Sequence, residues 1–357
     1  MPHQPPSLAP MTALLLEAAR WAPSADNTQP WRMLPTAEAI DIYYDPVRAA
    51  GKTFGPDAEA TELAAGAMMD SMARVARAGG WAPGSQYRPD RAQPLLLARL
   101  ALAGRQGGQI EAAAAELDTI RQRHTNRHPF KRTPVSQPAG WPAYRPAEVN
   151  ALWLDDRNTI GALARLVSDA SALRFQNQEV HEWLAASLRF TPSDVDRNDG
   201  LDVATFHLPP GGRQLLKAIS SWTTMQRLNR IHFYRLLAAM EAQPVRASPA
   251  LVAIVRDEQP ETGFLAGELM QQVWVLLNQA GLAVQPFYVI ADQLQRLKHQ
   301  QLPQAHREAA RRLEQQVSAC LGLRPGHSLA MLLRVGHPAH RPVASRRISL
   351  QQLMQTA

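Results

Sequence analysis

The chain has 357 residues, of which 45% are hydrophobic and 19% are charged, and its formal charge is +7. This length accommodates more than one ordinary domain. No apolar run approaches the ~18 residues that span a bilayer, and the first residues lack the basic and apolar regions of a secretory signal. We therefore expect a cytoplasmic protein with no membrane partner. The single cysteine, Cys320, excludes an intrachain disulfide.

The basic residues are almost all arginine, 34 against four lysines. Planar guanidinium groups suit bidentate binding of phosphate. The arginines are scattered along the chain rather than concentrated in one stripe, so we expect no nucleic-acid partner. The net positive charge instead favours capture of an anionic cofactor or of NAD(P)H.

The predicted elements occur twice in the order strand, helix, strand. The first set is 40–45, 61–78 and 94–102, and the second is 250–256, 263–280 and 328–335. Each predicted helix contains a glycine, and a second glycine follows it fourteen positions later. The pairs are Gly66 and Gly80 in the first set and Gly267 and Gly281 in the second. This pattern predicts a duplicated α+β domain, divided into 1–110 and 111–357. Amphipathic helices that end in glycine are also common without duplication.

Three further segments have clear local signals. Residues 175–220 lie between the repeats, are bounded by chain breakers, and are predicted to be either a lid or a surface excursion. Residues 111–121 are predicted to be a helix that ends before Pro129. Residues 304–321 are predicted to be an amphipathic helix with Cys320 on its packed face.

A ten-residue string, Ala-Pro-Ser-Ala-Asp-Asn-Thr-Gln-Pro-Trp, ends at Trp31. Its two prolines, the first of which is Pro23, stiffen the backbone. Ser24, Asn27 and Gln29 supply hydrogen-bond donors and acceptors, and Trp31 can cover apolar surface. A capped turn followed by a buried tryptophan explains Ser24 but not the whole string.

A second string, Arg-His-Thr-Asn-Arg-His-Pro-Phe, begins at Arg123. Arg123, Thr125 and Arg127 fall at or just past the end of the predicted helix 111–121. Two guanidinium groups with a hydroxyl between them can converge on a phosphate. A solvated basic helix end would have a similar sequence, because cations suit a helix C-terminus.

Together the two strings resemble the flavin-binding elements of the nitroreductase family. The second string resembles that family's Arg-x-Ser-x-Arg/Lys element. Residues 281–289 align with a family segment in which a backbone amide faces flavin N5, with Tyr288-Val289 in place of the usual Glu-Gly pair. Ser345-Arg346-Arg347 matches the family's C-terminal Ser-Arg, which closes on the phosphate, and Ala344 stands where a basic residue is usual.

In that family the first element comes from one subunit of a dimer and the second element from the other. Here both lie on one chain, as in the long single-chain branch that includes the mycobacterial Acg protein. The resemblance implies a nitroreductase-like α+β fold, built as an intrachain pseudo-dimer that holds one flavin mononucleotide (FMN). The residues that it implies for cofactor binding are Pro23, Ser24, Asn27, Gln29, Trp31, Arg123, His124, Thr125, Arg127, Pro286, Phe287, Tyr288, Val289, Arg346 and Arg347.

The implied activity is transfer of reducing equivalents from NAD(P)H through FMN to a nitroaromatic, a quinone or a similar small-molecule acceptor. No catalytic side chain is assigned, apart from an N5 contact near Tyr288 and Val289. The alternatives are an FMN-sequestering or storage protein with a covered flavin, and an arginine-rich interaction protein that has lost flavin. We expect a monomeric pseudo-dimer or a weak homodimer. His337 and His340 lack a third ligand in register, so no metal site is predicted.

Overall fold

The computed structural model describes residues 9–36, 38–51, 54–105, 107–142 and 146–354. The helices are α1 (Pro10–Arg20), α2 (Glu59–Ala78), α3 (Ile110–Gln122), α4 (Arg157–Arg174), α5 (Gln178–Ser187), α6 (Pro192–Val195), α7 (Gly212–Ile219), α8 (Trp222–Asn229), α9 (Phe233–Ala247), α10 (Thr262–Gln279), α11 (Val289–Lys298), α12 (Gln304–Leu321) and α13 (Leu350–Met354). None of these described helices is long and apolar enough to cross a membrane.

Two four-stranded antiparallel sheets organise the chain. The first has the order β1-β2-β4-β3, with β1 at Trp31–Pro35, β2 at Ala39–Tyr44, β3 at Trp81–Tyr87 and β4 at Leu96–Arg105. The second has the order β5-β8-β10-β9, with β5 at Val149–Leu154, β8 at Ala250–Asp257, β9 at Ala283–Phe287 and β10 at His327–Gly336. A short parallel pair, β6 (Leu188–Arg189) and β7 (Leu201–Asp202), lies in the segment between them. The α+β class and the twofold repetition predicted from the sequence are confirmed.

The two halves meet where α2 packs on α10. A Cβ atom at Gly66 would lie 1.9 Å from the Phe264 carbonyl oxygen, and one at Gly267 would lie 2.2 Å from the Leu63 carbonyl oxygen. Gly66 and Gly267 are 201 positions apart, as are Leu63 and Phe264, so the two contacts exchange under the repeat. This reciprocity is the mark of a twofold interface, here within a single chain.

The polar contacts along the same helix pair repeat the exchange. The Gln272 amide donates to Asp70 at 2.9 Å, and the Gln271 amide donates to Ser71 at 3.0 Å. Asp70 and Gln271, like Ser71 and Gln272, are again 201 positions apart. Burial raises the pKa of the Asp70 carboxyl to about 7. The helix pair therefore combines glycine-mediated close approach with a matched set of buried polar contacts.

Each half has a core on the outer side of this helix pair. In the first half, α1, α2, α3 and the first sheet surround buried side chains such as Leu15, Met33 and Met68. Ile348 and Leu353, near the end of the chain, return to this first core. In the second half, α4, α11 and α12 cover one face of the second sheet, and α10 covers the other. Cys320 is half-buried at the edge of the second core, as expected for α12.

Candidate functional site

The string that ends at Trp31 folds into a strained turn. Residues Ala25–Asn27 form a single 3-10 turn, and Asp26, Asn27 and Gln29 adopt left-handed backbone conformations with φ of 50°, 54° and 51°. Such conformations are costly for residues other than glycine and persist only where the surroundings enforce them. The Ser24 hydroxyl accepts a hydrogen bond from the backbone amide of Gln29 at 3.0 Å, and this bond closes the turn.

Asn27 joins this turn to two distant segments. Its side-chain amide donates to the Gly200 and Arg346 carbonyl oxygens, both at 3.1 Å. Its side-chain oxygen accepts a hydrogen bond from the Arg347 guanidinium at 2.8 Å. The Gly200 amide also donates to the Asn27 carbonyl oxygen at 3.1 Å. Asn27 therefore fixes the segment between the repeats and the C-terminal segment against the first half.

Gln29, two residues further on, is also hydrogen-bonded to both of these segments. Gln29 is fully buried. Its side-chain amide nitrogen donates to the Asn198 carbonyl oxygen at 3.0 Å, and its side-chain oxygen accepts from the Ile348 backbone amide at 3.0 Å. Trp31 begins β1 with its indole in the first core, and its Nε1 atom is buried without a hydrogen-bond partner among the described residues. Pro23, just before the turn, is half-buried.

Arg123 is a buried cation beside this turn. One guanidinium nitrogen donates to the Trp21 carbonyl oxygen at 2.8 Å, and the group lies 4.6 Å from the Trp274 ring centre. Its Nε atom has no hydrogen-bond partner within the described part of the chain. Burial, aided by the positive charge of Arg347, lowers the pKa of Arg123 to about 9. The charged form is thus held in a poorly solvated place.

Arg347 lies beside Arg123, and Arg127 is a third desolvated cation, close to Asp26. Burial lowers the pKa of Arg347 to about 10, and its Nε atom also lacks a partner among the described residues. Burial also lowers the pKa of Arg127, although the negative charge of Asp26 acts in the opposite direction. The Arg127 guanidinium donates to the Thr205 hydroxyl at 3.1 Å. Over the residues that the structure describes, no salt bridge joins any of these three arginines to a carboxylate. Such a group favours an anion as its neighbour.

The remaining predicted arginine, Arg346, is placed differently. Its guanidinium forms a salt bridge with Asp196 at 2.7 Å, and both side chains are more than half exposed. Of the two consecutive arginines, it is Arg347 that points into the protein beside Arg123. Arg346 instead fastens the C-terminal segment to the loop after α6.

The second string runs alongside the second sheet. Thr125 pairs with Val284 of β9 in a parallel bridge, and the Asn126 amide donates to the Val284 carbonyl oxygen at 2.8 Å. The His124 carbonyl oxygen accepts from the Trp274 indole at 3.1 Å, which ties the string to α10. The segment of Arg123 to Arg127 is therefore held next to the start of β9.

The end of β9 and the residues that follow it are largely committed to other contacts. Pro286 pairs with Leu333 in the sheet, while Phe287 and Val289 pack in the second core. The Tyr288 hydroxyl donates to Glu59 of α2 at 3.2 Å, and burial and the adjacent Glu59 charge raise the pKa of Tyr288 well above its usual value. Tyr288 thereby links the two halves.

A small cavity lies between the strained turn and α2. It is bordered by Ser24, Ala25, Thr28, Pro30, Ala49, Phe54, Ala60, Thr61 and Ala64, and it measures about 10 Å³. That volume holds about one water molecule. In this arrangement residues 198–205, called the closing segment below, lie over the turn, with Asn198 and Gly200 hydrogen-bonded to Gln29 and Asn27.

The sequence did not identify Arg334 as a site residue. It predicted 175–220 as a lid or a surface excursion, but it did not identify which residues of 198–205 contact the turn. Arg334 is buried in β10, donates to the His128 carbonyl oxygen at 2.6 Å, and lies 3.9 Å from the Phe130 ring centre. Burial lowers its pKa to about 9. The available signal was one arginine inside the apolar run Leu-Leu-Arg-Val. Asn198, Gly200 and Thr205 gave no comparable signal, because their roles depend on tertiary contacts.

Three histidine rings lie together: His207 from the segment between the repeats, His128 from the second string, and His340, which follows β10. The His128 and His207 Nδ1 atoms are 3.1 Å apart, and the ring centres of His128 and His340 are 5.8 Å apart. Burial lowers the pKa of His128, and the nearby His207, His340 and Arg334 lower it further. His128 therefore stays neutral in the folded protein at pH values where the unfolded chain binds a proton.

Stability that depends on neutral His128 should be lost as the pH falls below the ordinary histidine pKa. We expect the wild type to lose more thermal stability between about pH 7.5 and about pH 5.5 than the variant His207→Gln does. The measurement is the thermal-unfolding midpoint of both proteins at both pH values. His299→Gln, at the exposed end of α11, is the matched control and should follow the wild type. Equal pH dependence of wild type and His207→Gln would contradict the assignment.

Comparison with known proteins finds no family model that matches the chain. The chain is 28% identical over 299 residues to the uncharacterized protein MT1398 of Mycobacterium tuberculosis (strain CDC 1551 / Oshkosh). The match covers 80% of this chain but only 40% of the length of that relative.

Among solved structures, the chain is similar to the FMN-dependent nitroreductase NfnB of Mycobacterium smegmatis in complex with NADPH. The identity is 15%, over 69% of this chain and 99% of that one, with a TM-score of 0.40. It is also similar to a nitroreductase with bound FMN from Bacteroides fragilis, at 11% identity over 65% and 93% of the two chains, with a TM-score of 0.34. A nitroreductase-like protein of Bacillus cereus matches at 12% identity over 71% and 99%, with a TM-score of 0.33.

Proposed function

We propose that the chain binds one FMN between its two halves and acts as a nitroreductase-type oxidoreductase. Reducing equivalents would pass from NAD(P)H to a nitroaromatic, a quinone or a similar small acceptor. The observation that carries the proposal is a set of three arginines that form no salt bridge within the described residues. Arg123 is buried beside Arg347, and Arg127 and Arg347 are partly buried. The resemblance of the surrounding strings to flavin-binding elements adds support.

The residues present fit the phosphate end of FMN. The unpartnered Nε atoms of Arg123 and Arg347 are donors that a phosphate oxygen would satisfy. Arg127 currently uses the Thr205 hydroxyl and could exchange it for a charged acceptor. A dianionic group at this place would relieve the desolvation that lowers the pKa of each arginine.

The flavin ring would supply the redox chemistry, as a hydride acceptor and donor. The protein's own contribution is binding, orientation and exclusion of water. The three arginines would hold the phosphate, and Asn27 and Gln29 would orient the polar edge of the ring and its ribityl chain. The segment that includes Asn198 and Gly200 would shield the site from water. No side chain is assigned as a catalytic acid or base.

A second function, sequestration or storage of FMN with little turnover, is favoured by one specific observation. The closing segment is hydrogen-bonded directly to Asn27 and Gln29, and the cavity behind them holds only about one water molecule. A flavin beneath this segment cannot stack with a nicotinamide. The two functions differ in whether residues 198–205 open during turnover.

The deciding experiment is an FMN titration of the purified protein, followed by anaerobic addition of NADPH or NADH. We expect one FMN per chain and loss of the flavin visible absorbance after the nicotinamide is added. Bound flavin that stays oxidised would support sequestration instead. No binding of FMN would overturn both functions, and two flavins per chain would overturn the single site.

We also propose an oligomeric state for the chain and a boundary between its two halves. We propose a monomer or weak homodimer in the cytoplasm, since the α2–α10 contact already supplies an internal twofold interface. The division at 110/111 stays a prediction. The structure packs α3, just beyond it, into the core of the first half.

A further inference from the structure

The surface formed by α7, α8 and the first two turns of α9 carries basic residues and no acidic ones. No aspartate or glutamate occurs between Asp202 and Glu241. The same stretch carries five exposed cations, Arg213, Lys217, Arg227, Arg230 and Arg235. A stretch of this length with one sign of charge produces a local field that attracts anions.

Exposed aliphatic side chains lie among these cations. Ile231 is 74% exposed, Leu236 54%, Met240 50% and Leu215 43%. They are four of the six large hydrophobic side chains found exposed among the described residues. Leu236 and Met240 are one turn apart on α9, so they share one face of the helix.

These exposed side chains are not a misplaced part of the core. The three helices already have a core of their own, in which Ile219, Met225 and Leu237 are buried. Ile231 lies at the connection between α8 and α9, next to His232 with its left-handed backbone (φ 61°). The helices are thus fixed from beneath while a second set of apolar side chains faces outward.

We propose that this α7–α9 surface docks on an anionic lipid bilayer. Arginine and lysine side chains would contact the headgroups, and Ile231, Leu236 and Met240 would enter the boundary between headgroups and acyl chains. A nucleic acid would satisfy the cations but leave the aliphatic side chains without a partner. A second copy of the same surface would place five cations against five, which opposes self-association.

This inference does not rest on FMN binding. From the sequence we expected no membrane partner, because no segment could span a bilayer, and the proposed docking departs from that expectation. Docking of folded helices at a surface needs no such segment. The residues that carry the proposal are all distant in sequence from Arg123, Arg347 and the strained turn.

The test is co-sedimentation of the purified protein with vesicles of phosphatidylcholine alone and with vesicles that also contain phosphatidylglycerol. We expect binding only to the mixed vesicles, and loss of that binding at high salt. The double variant Ile231→Asp/Leu236→Asp should weaken binding at least tenfold. Arg227→Gln/Arg230→Gln should weaken it in the same direction, and because glutamine is a good helix former this variant keeps α8 folded.

Val47→Asp is the matched control, because Val47 is an equally exposed aliphatic residue (72%) elsewhere on the protein. It should bind like the wild type. No binding to mixed vesicles, equal binding to both kinds of vesicle, or the same loss in Val47→Asp would overturn the proposal. Binding to duplex DNA without binding to vesicles would also overturn it, and so would concentration-dependent dimerisation that Ile231→Asp/Leu236→Asp abolishes.

Discussion

Gly66→Ala and Gly267→Ala are each expected to lower the free energy of unfolding by about 3 kcal/mol. The added methyl group would lie 1.9 Å from the Phe264 carbonyl oxygen in the first variant and 2.2 Å from the Leu63 carbonyl oxygen in the second. Both obstacles are helix backbone atoms, which cannot rotate away as a side chain can. Relief therefore requires α2 and α10 to separate, and that separation loosens the contact between the halves.

The measurement is urea unfolding followed by far-ultraviolet circular dichroism. Gly161→Ala in α4 is the matched control, because it is also a helical glycine and a Cβ there meets no atom within 4 Å. That variant should gain up to about 1 kcal/mol from helix propensity. Equal stability of Gly66→Ala, Gly267→Ala and Gly161→Ala would show that the helices do not pack as described.

Arg123→Gln and Arg347→Gln are each expected to weaken FMN binding by about 10- to 100-fold. This corresponds to the roughly 1.5–3 kcal/mol of a charge-assisted hydrogen bond. The FMN-free variants should be nearly as stable as the wild type, because each change also removes a charge that burial disfavours. The FMN-induced rise in the thermal midpoint should therefore shrink, while the midpoint without FMN stays almost the same.

Arg121→Gln is the control for these two variants. Arg121 belongs to the same stretch of sequence, but it is 41% exposed and forms salt bridges with Glu17 and Asp118. It should bind FMN like the wild type. Arg346→Gln should have a smaller effect than Arg347→Gln, since Arg346 is exposed and paired with Asp196. Unchanged FMN affinity in both Arg123→Gln and Arg347→Gln would remove the basis of the proposed phosphate site.

The regular elements with strong periodicity were predictable from the sequence. The predicted helix 61–78 is α2 at Glu59–Ala78, and the predicted 304–321 is α12 at the same residues. β3 was not predicted, because Trp81–Tyr87 contains Pro83 and Gly84 and lies at the sheet edge with mostly exposed residues. Its existence depends on pairing with β4, a tertiary contact.

The candidate site was predictable as two strings but not as an assembled place. The motif identified Asn27 and Gln29, whereas their partners Asn198, Gly200 and Ile348 are more than 160 positions away. Sequence could not decide which of the consecutive Arg346 and Arg347 is buried, since the two differ only in the direction of the backbone. The hydrogen bond of Tyr288 to Glu59 was equally unpredictable, because it joins the start of α11 in one half to α2 in the other.

The return of the C-terminal segment to the first half has a consequence for synthesis on the ribosome. Ile348 and Leu353 fill the first core, and Arg20 donates to the Ile348 carbonyl oxygen at 2.6 Å. α3, the last of the earlier elements in this core, ends at Gln122, so Ile348 is made 226 residues later. At ordinary translation speeds that is a delay of about 10–50 s, during which the nascent first half exposes apolar surface. The half that is made first is therefore the last to be finished.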